Sequence, residues 1–224
     1  MAAPRRPWFY ALCLLTGSLL IVIGGLRHPM LSGDGAAELG MIAATAAWRA
    51  VHWGFLFGFT LVVAGLAGVA SRLAHTAGEQ AARAGICLAV FGYAVAAVGV
   101  LFMVGAGAAL ADAYTRADLG LTATHAVFVY DMLRPFALGS IRAAAFAISL
   151  ATYAFGWGVA TGWGGAYPRA LGYVGVTVGV AGVAAALALP ETSPYTILGT
   201  ALATVWQLLV AVTMLLREPS PSAA

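Results

Sequence analysis

The chain of 224 residues contains no lysine and no asparagine, and it carries little charge of either sign. Its 11 basic residues are all arginines, and it has only 8 acidic residues. Without lysine, a retinal Schiff base and any other chemistry centred on a lysine amine are excluded. Without asparagine, there is no acceptor for N-linked glycosylation. The arginines are scattered along the chain, so no basic stripe indicates binding to nucleic acid.

Cysteine is also scarce, because Cys13 and Cys87 are the only two and both lie in apolar runs. We expect the two thiols to behave as small hydrophobic side chains and not as a disulfide. The sequence has no Walker loop, no Gly-x-Ser-x-Gly and no Cys-x-x-Cys, which are common catalytic or nucleotide-binding motifs. Nothing in it therefore favours an enzyme.

Apolar residues dominate what is present, at 62% of the chain against 8% charged residues. Runs close to the ~20 residues that span a bilayer lie at about 8–26, 51–71, 85–110, 138–162, 170–189 and 196–216. We predict an all-α integral membrane bundle of six transmembrane helices in a single domain over 1–224. One or two interfacial helices are expected on the outer side, with a disordered tail over 217–224.

The arginines give a weak indication of orientation. Those expected on the side of the termini are Arg5, Arg6, Arg72, Arg83, Arg169 and Arg217, and those opposite are Arg27, Arg49, Arg116, Arg134 and Arg142. The positive-inside rule then favours cytoplasmic termini. An Ala-, Gly-, Val- and Arg-rich chain without Lys or Asn is typical of a GC-rich bacterial genome, so we expect a bacterial inner membrane.

Small residues recur at helical spacing within the predicted spans. The clearest series are Gly85, Ala89, Gly92, Ala96 and Gly99 in the third span, Gly172, Gly175, Gly179 and Gly182 in the fifth, and Gly54, Gly58, Gly65 and Gly68 in the second. Because lipid tails are as apolar as leucine, helices in membranes associate through close packing of such residues. The series predict a tight bundle with little interior volume.

Two connections on the predicted outer side are longer than a turn requires. In the first, Asp34 or Gly35 is a candidate helix N-cap, with Glu38 in the first turn of the helix that follows. In the second, apolar residues at helical spacing from Phe128 predict an interfacial helix that lies on the bilayer and ends at Pro135. Local ion pairs are expected there, Asp112 with Arg116 and Asp131 with Arg134.

Polar side chains at depth are few. Gln207, in the middle of the sixth predicted span, is expected to form a hydrogen bond to another helix, and the alternative is contact with the substrate of a small permease. Arg142, about one turn inside the fourth span, needs a partner. An ion pair with Asp131 or Asp112 is one interpretation, and anion binding is the other.

The stretch Trp48-Arg-Ala-Val-His-Trp53 opens the second span. Its tryptophans suit the membrane border, where Arg49 can extend its guanidinium into water. His52 shares the outer side with His28 and His125, and imidazoles with nearby carboxylates are ordinary ligands of zinc or copper. The three histidines are thus a candidate metal or haem site. The alternative is that they are border residues hydrogen-bonded to the backbone or to lipid headgroups.

The stretch "GWGGAYPRALGYVGVTVGVAGVAAAL", together with "GDGAAELG" and "WRAVHWGFLFG", resembles a family of uncharacterised bacterial multi-spanning inner-membrane proteins classed under domains of unknown function. The resemblance implies a bacterial membrane protein and no particular activity. We therefore expect a binding protein, either an accessory or scaffold subunit for another membrane protein or a receptor for a small lipophilic molecule. The alternatives are a metal- or haem-binding redox or metal-handling protein and a permease.

Overall fold

The computed structural model describes residues 8–31, 33–116, 122–162, 169–190, 193 and 197–216. Within them lie α1 (Trp8–Arg27), α2 (Gly35–Ala44), α3 (Trp48–Arg72), α4 (Glu79–Phe102), a π-helical turn (Met103–Gly107), α5 (Ala108–Thr115), α6 (Ala123–Thr161), α7 (Arg169–Ala188) and α8 (Leu198–Leu216). Six segments are long and apolar enough to cross a membrane: α1, α3, the continuous stretch from α4 to α5, α6, α7 and α8. The predicted all-α bundle of six spans is confirmed. The predicted tail over 217–224 lies outside the described residues.

The centre of the bundle is α6, the most buried of the six spanning segments. It packs most extensively against α7 and α4, while α1 packs against α3 and α8. Large side chains from several helices, including Leu66, Phe155 and Trp206, meet in one buried core. The indole nitrogen of Trp206 donates to the carbonyl oxygen of Leu171 at 2.9 Å, which ties α8 to the start of α7.

Glycines set how closely the helices approach, as their spacing predicts. A Cβ on Gly17 of α1 would lie 2.7 Å from the carbonyl oxygen of Gly58 on α3, and one on Gly179 of α7 would lie 2.5 Å from the backbone nitrogen of Tyr153 on α6. Any side chain at these positions would push the helix backbones apart. Gly54 departs from the pattern, because nothing lies within 4 Å of where its Cβ would be.

A second, smaller core lies at one end of the bundle, between α2, α5 and the first turns of α6. We call these three elements the cap, and the end of the bundle that carries them the cap side. The α2 helix begins as predicted, because the Asp34 carboxylate accepts a hydrogen bond from the Ala37 backbone at 2.8 Å. Its buried Leu39 and Ile42 face Ala126 of α6 within this core.

The predicted helix end at Pro135 is wrong. The described chain runs as one α-helix of 39 residues from Ala123 to Thr161, with Pro135 inside it. A proline removes only one backbone donor, and a helix held by its neighbours tolerates that loss. Here Tyr130 and Arg134, just before the proline, are fixed to Glu38 of α2.

The expected separate interfacial helix is therefore the first part of α6. At ~1.5 Å per residue the helix is about 58 Å long, whereas a hydrocarbon core is ~30 Å thick. Since α7 and α8 have only 20 and 19 residues, the start of α6 extends past them. It rises from the bundle as part of the cap, in one continuous helix with the spanning part of α6.

Candidate functional site

The cap is organised around the buried carboxylate of Glu38. Only 2% of this residue is exposed, yet its oxygens accept a hydrogen bond from the Tyr130 hydroxyl at 2.9 Å and an ion pair from the Arg134 guanidinium at 2.7 Å. Arg134 also donates to the carbonyl oxygen of Gly33, a residue whose φ of 134° suits only glycine. A buried carboxylate is stable only when it is paired in this way.

The position of Glu38 in the first turn of α2 does not predict these partners. The predicted pair of Arg134 with Asp131, three residues away, is wrong, because the arginine pairs with Glu38, 96 residues away. The Asp131 carboxylate instead lies where a Cβ on Gly35 would be. That position is the N-terminus of α2, where a negative charge is favoured by the helix dipole. The sequence feature that could have indicated these contacts is the spacing of Tyr130 and Arg134, which lie four residues apart on one helix face.

A π-helical turn connects the cap to the bundle. The Trp48 indole nitrogen donates to the carbonyl oxygen of Met103, the first residue of this turn, at 3.0 Å. A π-helical turn changes the hydrogen-bond register of a helix locally and is frequent at functional sites. Trp48 is buried, so the predicted role of this tryptophan as a border residue facing lipid is not what the structure shows. It links α3 to the π-helical turn that follows α4.

Two of the three predicted histidines come together. The rings of His28 and His52 have centroids 5.1 Å apart, and the Trp48 ring contacts both. The Nδ1 of His28 lies 2.7 Å from the Pro29 carbonyl oxygen, and the Nδ1 of His52 lies 2.7 Å from the Trp48 carbonyl oxygen. Because a carbonyl oxygen only accepts, each Nδ1 carries the proton, which leaves Nε2 as an acceptor in the neutral ring.

Burial lowers the pKa of His28 below its ordinary value, and the hydrogen bond to Pro29 opposes part of this effect. A lowered pKa keeps the His28 ring neutral at physiological pH.

His125 does not join the other two histidines. It is exposed in the first turn of α6, where its Nδ1 lies 2.9 Å from the hydroxyl of Thr122, the N-cap of that helix. Among the described residues, no group of three His, Cys, Asp or Glu side chains could hold a metal ion together. The expected convergence of all three histidines is thus not found, because His125 belongs to the N-terminus of a helix that extends away from the bundle.

A cleft opens between α2, α3 and α5 at the edge of the cap. It has a volume of about 290 Å³. Its apolar lining includes Ile42, Trp48 and Ala111, and its charged lining consists of Arg49, Asp112 and Arg116. The nearest charged atoms of Arg49 and Asp112 are 3.5 Å apart, and 68% and 43% of the two side chains are exposed.

This ion pair replaces the predicted local pair of Asp112 with Arg116. Ion pairs that are exposed to this degree contribute little stability. The cleft therefore presents two arginines beside apolar residues, with one carboxylate only loosely engaged.

Arg142 lies outside the cap and acts on α7. Its Nε donates to the carbonyl oxygen of Ala186 at 2.7 Å, and a terminal nitrogen donates to that of Leu187 at 3.1 Å. These carbonyls belong to the last turn of α7, where helical oxygens lack partners and a positive charge is favoured. Among the described residues, no ion pair joins Arg142 to Asp131 or Asp112, and the contacts seen for the guanidinium are with the end of α7.

Gln207 forms the hydrogen bonds between helices that its position predicts. Its amide nitrogen donates to the Tyr93 hydroxyl at 2.9 Å, and its oxygen accepts from that hydroxyl at 3.3 Å and from the Ser18 hydroxyl at 3.5 Å. These contacts join α8 to α4 and α1 within the spans. All three residues are buried, so the carboxamide is engaged on both sides by the protein itself.

No family model matches the chain, and neither does any curated protein or solved structure. The resemblance to bacterial inner-membrane proteins of unknown function stays a prediction. The fold defines the class, a multi-pass helical protein with a small cap at one end of the bundle.

Proposed function

We propose that this protein acts by binding, as an integral membrane receptor for a small lipophilic molecule that carries an acidic group. One observation supports this most directly: the cleft at the edge of the cap combines Arg49 and Arg116 with several apolar residues. Guanidinium groups recognise carboxylate and phosphate through paired hydrogen bonds. The apolar residues beside them favour a hydrocarbon part on the same ligand.

Size and charge of the cleft both restrict the ligand. Its volume of about 290 Å³ is at the lower end of the ~300–1,000 Å³ range of ligand pockets, which suits a short-chain molecule. Two arginines against one aspartate leave a single positive charge for the ligand to neutralise. Because the exposed pair of Arg49 with Asp112 contributes little stability, an anion that binds Arg49 in place of Asp112 costs little free energy.

The test is binding of hexyl phosphate, with hexanol and inorganic phosphate as the separate halves of the probe. The measurement is isothermal titration calorimetry on the purified protein in a mild detergent. We expect hexyl phosphate to bind more tightly than either half, and Arg49→Gln or Arg116→Gln to weaken its affinity by about tenfold.

Arg83→Gln is the matched control, because Arg83 is as exposed as Arg49, at 69%, and pairs with Glu79 at the other end of the bundle. Equal affinity for hexanol and hexyl phosphate would show that the arginines do not recognise the phosphate, which would contradict the proposal. An equal loss in the Arg83 variant would show a general charge effect and would likewise contradict the proposal.

A metal-binding function is the second candidate, and the geometry of His28 and His52 favours it. In metal sites a ligating histidine usually donates its other ring N–H to a carbonyl or carboxylate, as both rings do here through Nδ1. Zinc and copper both accept imidazole nitrogen. Elemental analysis of protein purified without an affinity metal column tests this, with His52→Ala expected to lose the metal and His125→Ala to keep it. Metal-free wild-type protein would exclude this function.

We further propose that the membrane is a bacterial inner membrane and that the cap faces outward, with both termini in the cytoplasm. The support comes from the lysine-free, arginine-containing composition and from the excess of arginine, six against five, on the terminal side. In this orientation the cleft opens to the periplasmic side, and the two histidines lie at the same end of the bundle. An accessory role beside another membrane protein is compatible with the same arrangement.

A further inference from the structure

A second groove lies between α1 and α3, just below the cap. It has a volume of about 170 Å³ and is lined almost entirely by apolar residues of the two helices, among them Leu20, Ile23 and Val51. Its one charged residue is Arg27, in the last turn of α1. Because α1 has 20 residues, about the length of a bilayer span, its end is at the depth of the lipid headgroups.

One glycine of the groove has open space beside it. Gly54 of α3 lines it, and nothing lies within 4 Å of where its Cβ would be. The neighbouring Gly24 of α1 differs, since a Cβ there would lie 2.7 Å from the Phe55 ring. Gly24 thus serves helix packing, whereas Gly54 leaves space that no described side chain fills.

We propose that this groove binds an anionic phospholipid, with part of one acyl chain against Gly54 and the phosphate at Arg27. The charge of the groove fits this occupant, because its only ionic group is a cation at its headgroup end. Because both helices are candidate membrane spans, the groove between them would meet lipid acyl chains. Basic residues at the membrane border attract anionic headgroups by about 1 kcal/mol each. The inference does not rest on the cleft described above, which lies on the cap and uses other arginines.

The experiment uses the whole protein in nanodiscs of phosphatidylcholine with a minor fraction of phosphatidylglycerol. After transfer to mild detergent, native mass spectrometry counts the lipid retained by each variant. We expect wild type to retain phosphatidylglycerol in preference to phosphatidylcholine. Arg27→Gln should lower this retention about fivefold. Gly54→Leu fills the groove and should lower it about tenfold, through the loss of buried methylene groups.

Gly25→Leu is the matched control, because Gly25 also has nothing within 4 Å of its Cβ position and does not line the groove. It adds the same side chain and should leave lipid retention unchanged. Arg83→Gln, at the other end of the bundle, should also leave it unchanged, which shows that the loss in Arg27→Gln depends on the position of the charge. Circular dichroism of each variant confirms that the helices are intact.

Three results would overturn the proposal. Equal retention of phosphatidylcholine and phosphatidylglycerol would show that the headgroup charge is not recognised. Undiminished retention in Gly54→Leu would show that the groove holds no chain. Complete displacement of the lipid by free glycerol phosphate would identify a simple anion site at Arg27 with no role for the apolar groove.

Discussion

At the scale of single residues, Glu38 is the most constrained side chain of the cap, because it is buried and paired with Arg134 of another helix. Removing its carboxylate leaves the guanidinium without its partner in a largely buried site. We predict that Glu38→Ala lowers the free energy of unfolding by about 3 kcal/mol. The measurement is equilibrium unfolding in mixed detergent, followed by circular dichroism.

Asp112→Ala provides the comparison for this effect, since it also removes a carboxylate from an ion pair in the cap. This pair is exposed, so the change should stay below about 1 kcal/mol. Similar losses in the two variants would show that burial of Glu38 does not determine its contribution.

Gln207 allows a second prediction at this scale, because its main partner is a single hydroxyl. A double-mutant cycle with Gln207→Leu and Tyr93→Phe should give a coupling energy of about 1 kcal/mol, as is usual for hydrogen bonds between membrane helices. Unfolding free energies of wild type, both single variants and the double variant supply the cycle. Strictly additive losses would mean that the hydrogen bond seen at 2.9 Å contributes nothing to stability.

At the scale of helices, two glycines of the predicted small-residue series differ in what surrounds them. Gly179 meets the backbone of Tyr153, whereas Gly54 faces open space. Gly179→Ala should therefore destabilise the protein by roughly 1–3 kcal/mol through overpacking. Gly54→Ala should stay within about 1 kcal/mol of wild type, since alanine is the better helix former. Unfolding in mixed detergent measures both, and a reversed order would contradict the close approach of α6 and α7.

The continuity of α6 through Pro135 is also testable at this scale. Spin labels on the exposed positions Thr124 and Ala143 are separated by a straight helical rise of about 28 Å. Double electron-electron resonance should give this backbone separation, with the same value in Pro135→Ala. The opposite result is a clearly shorter distance in wild type that increases in Pro135→Ala. It would show that the helix breaks at Pro135, as the sequence predicts.

Helices and their packing faces were predictable where residues close together in the sequence determine them. Hydropathy and length identified the six spans, glycine spacing identified the packing faces, and Asp34 identified the start of α2. The predicted helix end at Pro135 is wrong because the effect of this proline depends on the contacts of Tyr130 and Arg134 with a helix distant in sequence. The candidate site was predictable only in part, because the pairing of Glu38 with Arg134 and of Arg49 with Asp112 follows from how the cap folds. The spacing of residues along the sequence does not predict these contacts.

At the scale of the whole molecule, the bundle is asymmetric along the membrane normal. Helices α4 to α5 and α6 run past the other spans on the cap side, whereas the opposite side has a short connection between α3 and α4. The charged lining of the cleft and the Glu38 network both lie on the cap side. The proposed receptor function therefore depends on which side of the membrane the cap faces.

Labelling of single introduced cysteines shows which side of the membrane the cap faces. In a background with Cys13→Ala and Cys87→Ala, single cysteines replace Thr124 in the cap or Ala77 in the α3–α4 connection, both of which are exposed. A membrane-impermeant maleimide applied to intact bacterial cells should label Thr124→Cys at once and Ala77→Cys only after the membrane is opened, because the arginine excess favours the terminal side as cytoplasmic. The reverse labelling would place the cleft in the cytoplasm, where its ligand would have to be a metabolite of the cell and not a molecule arriving from outside.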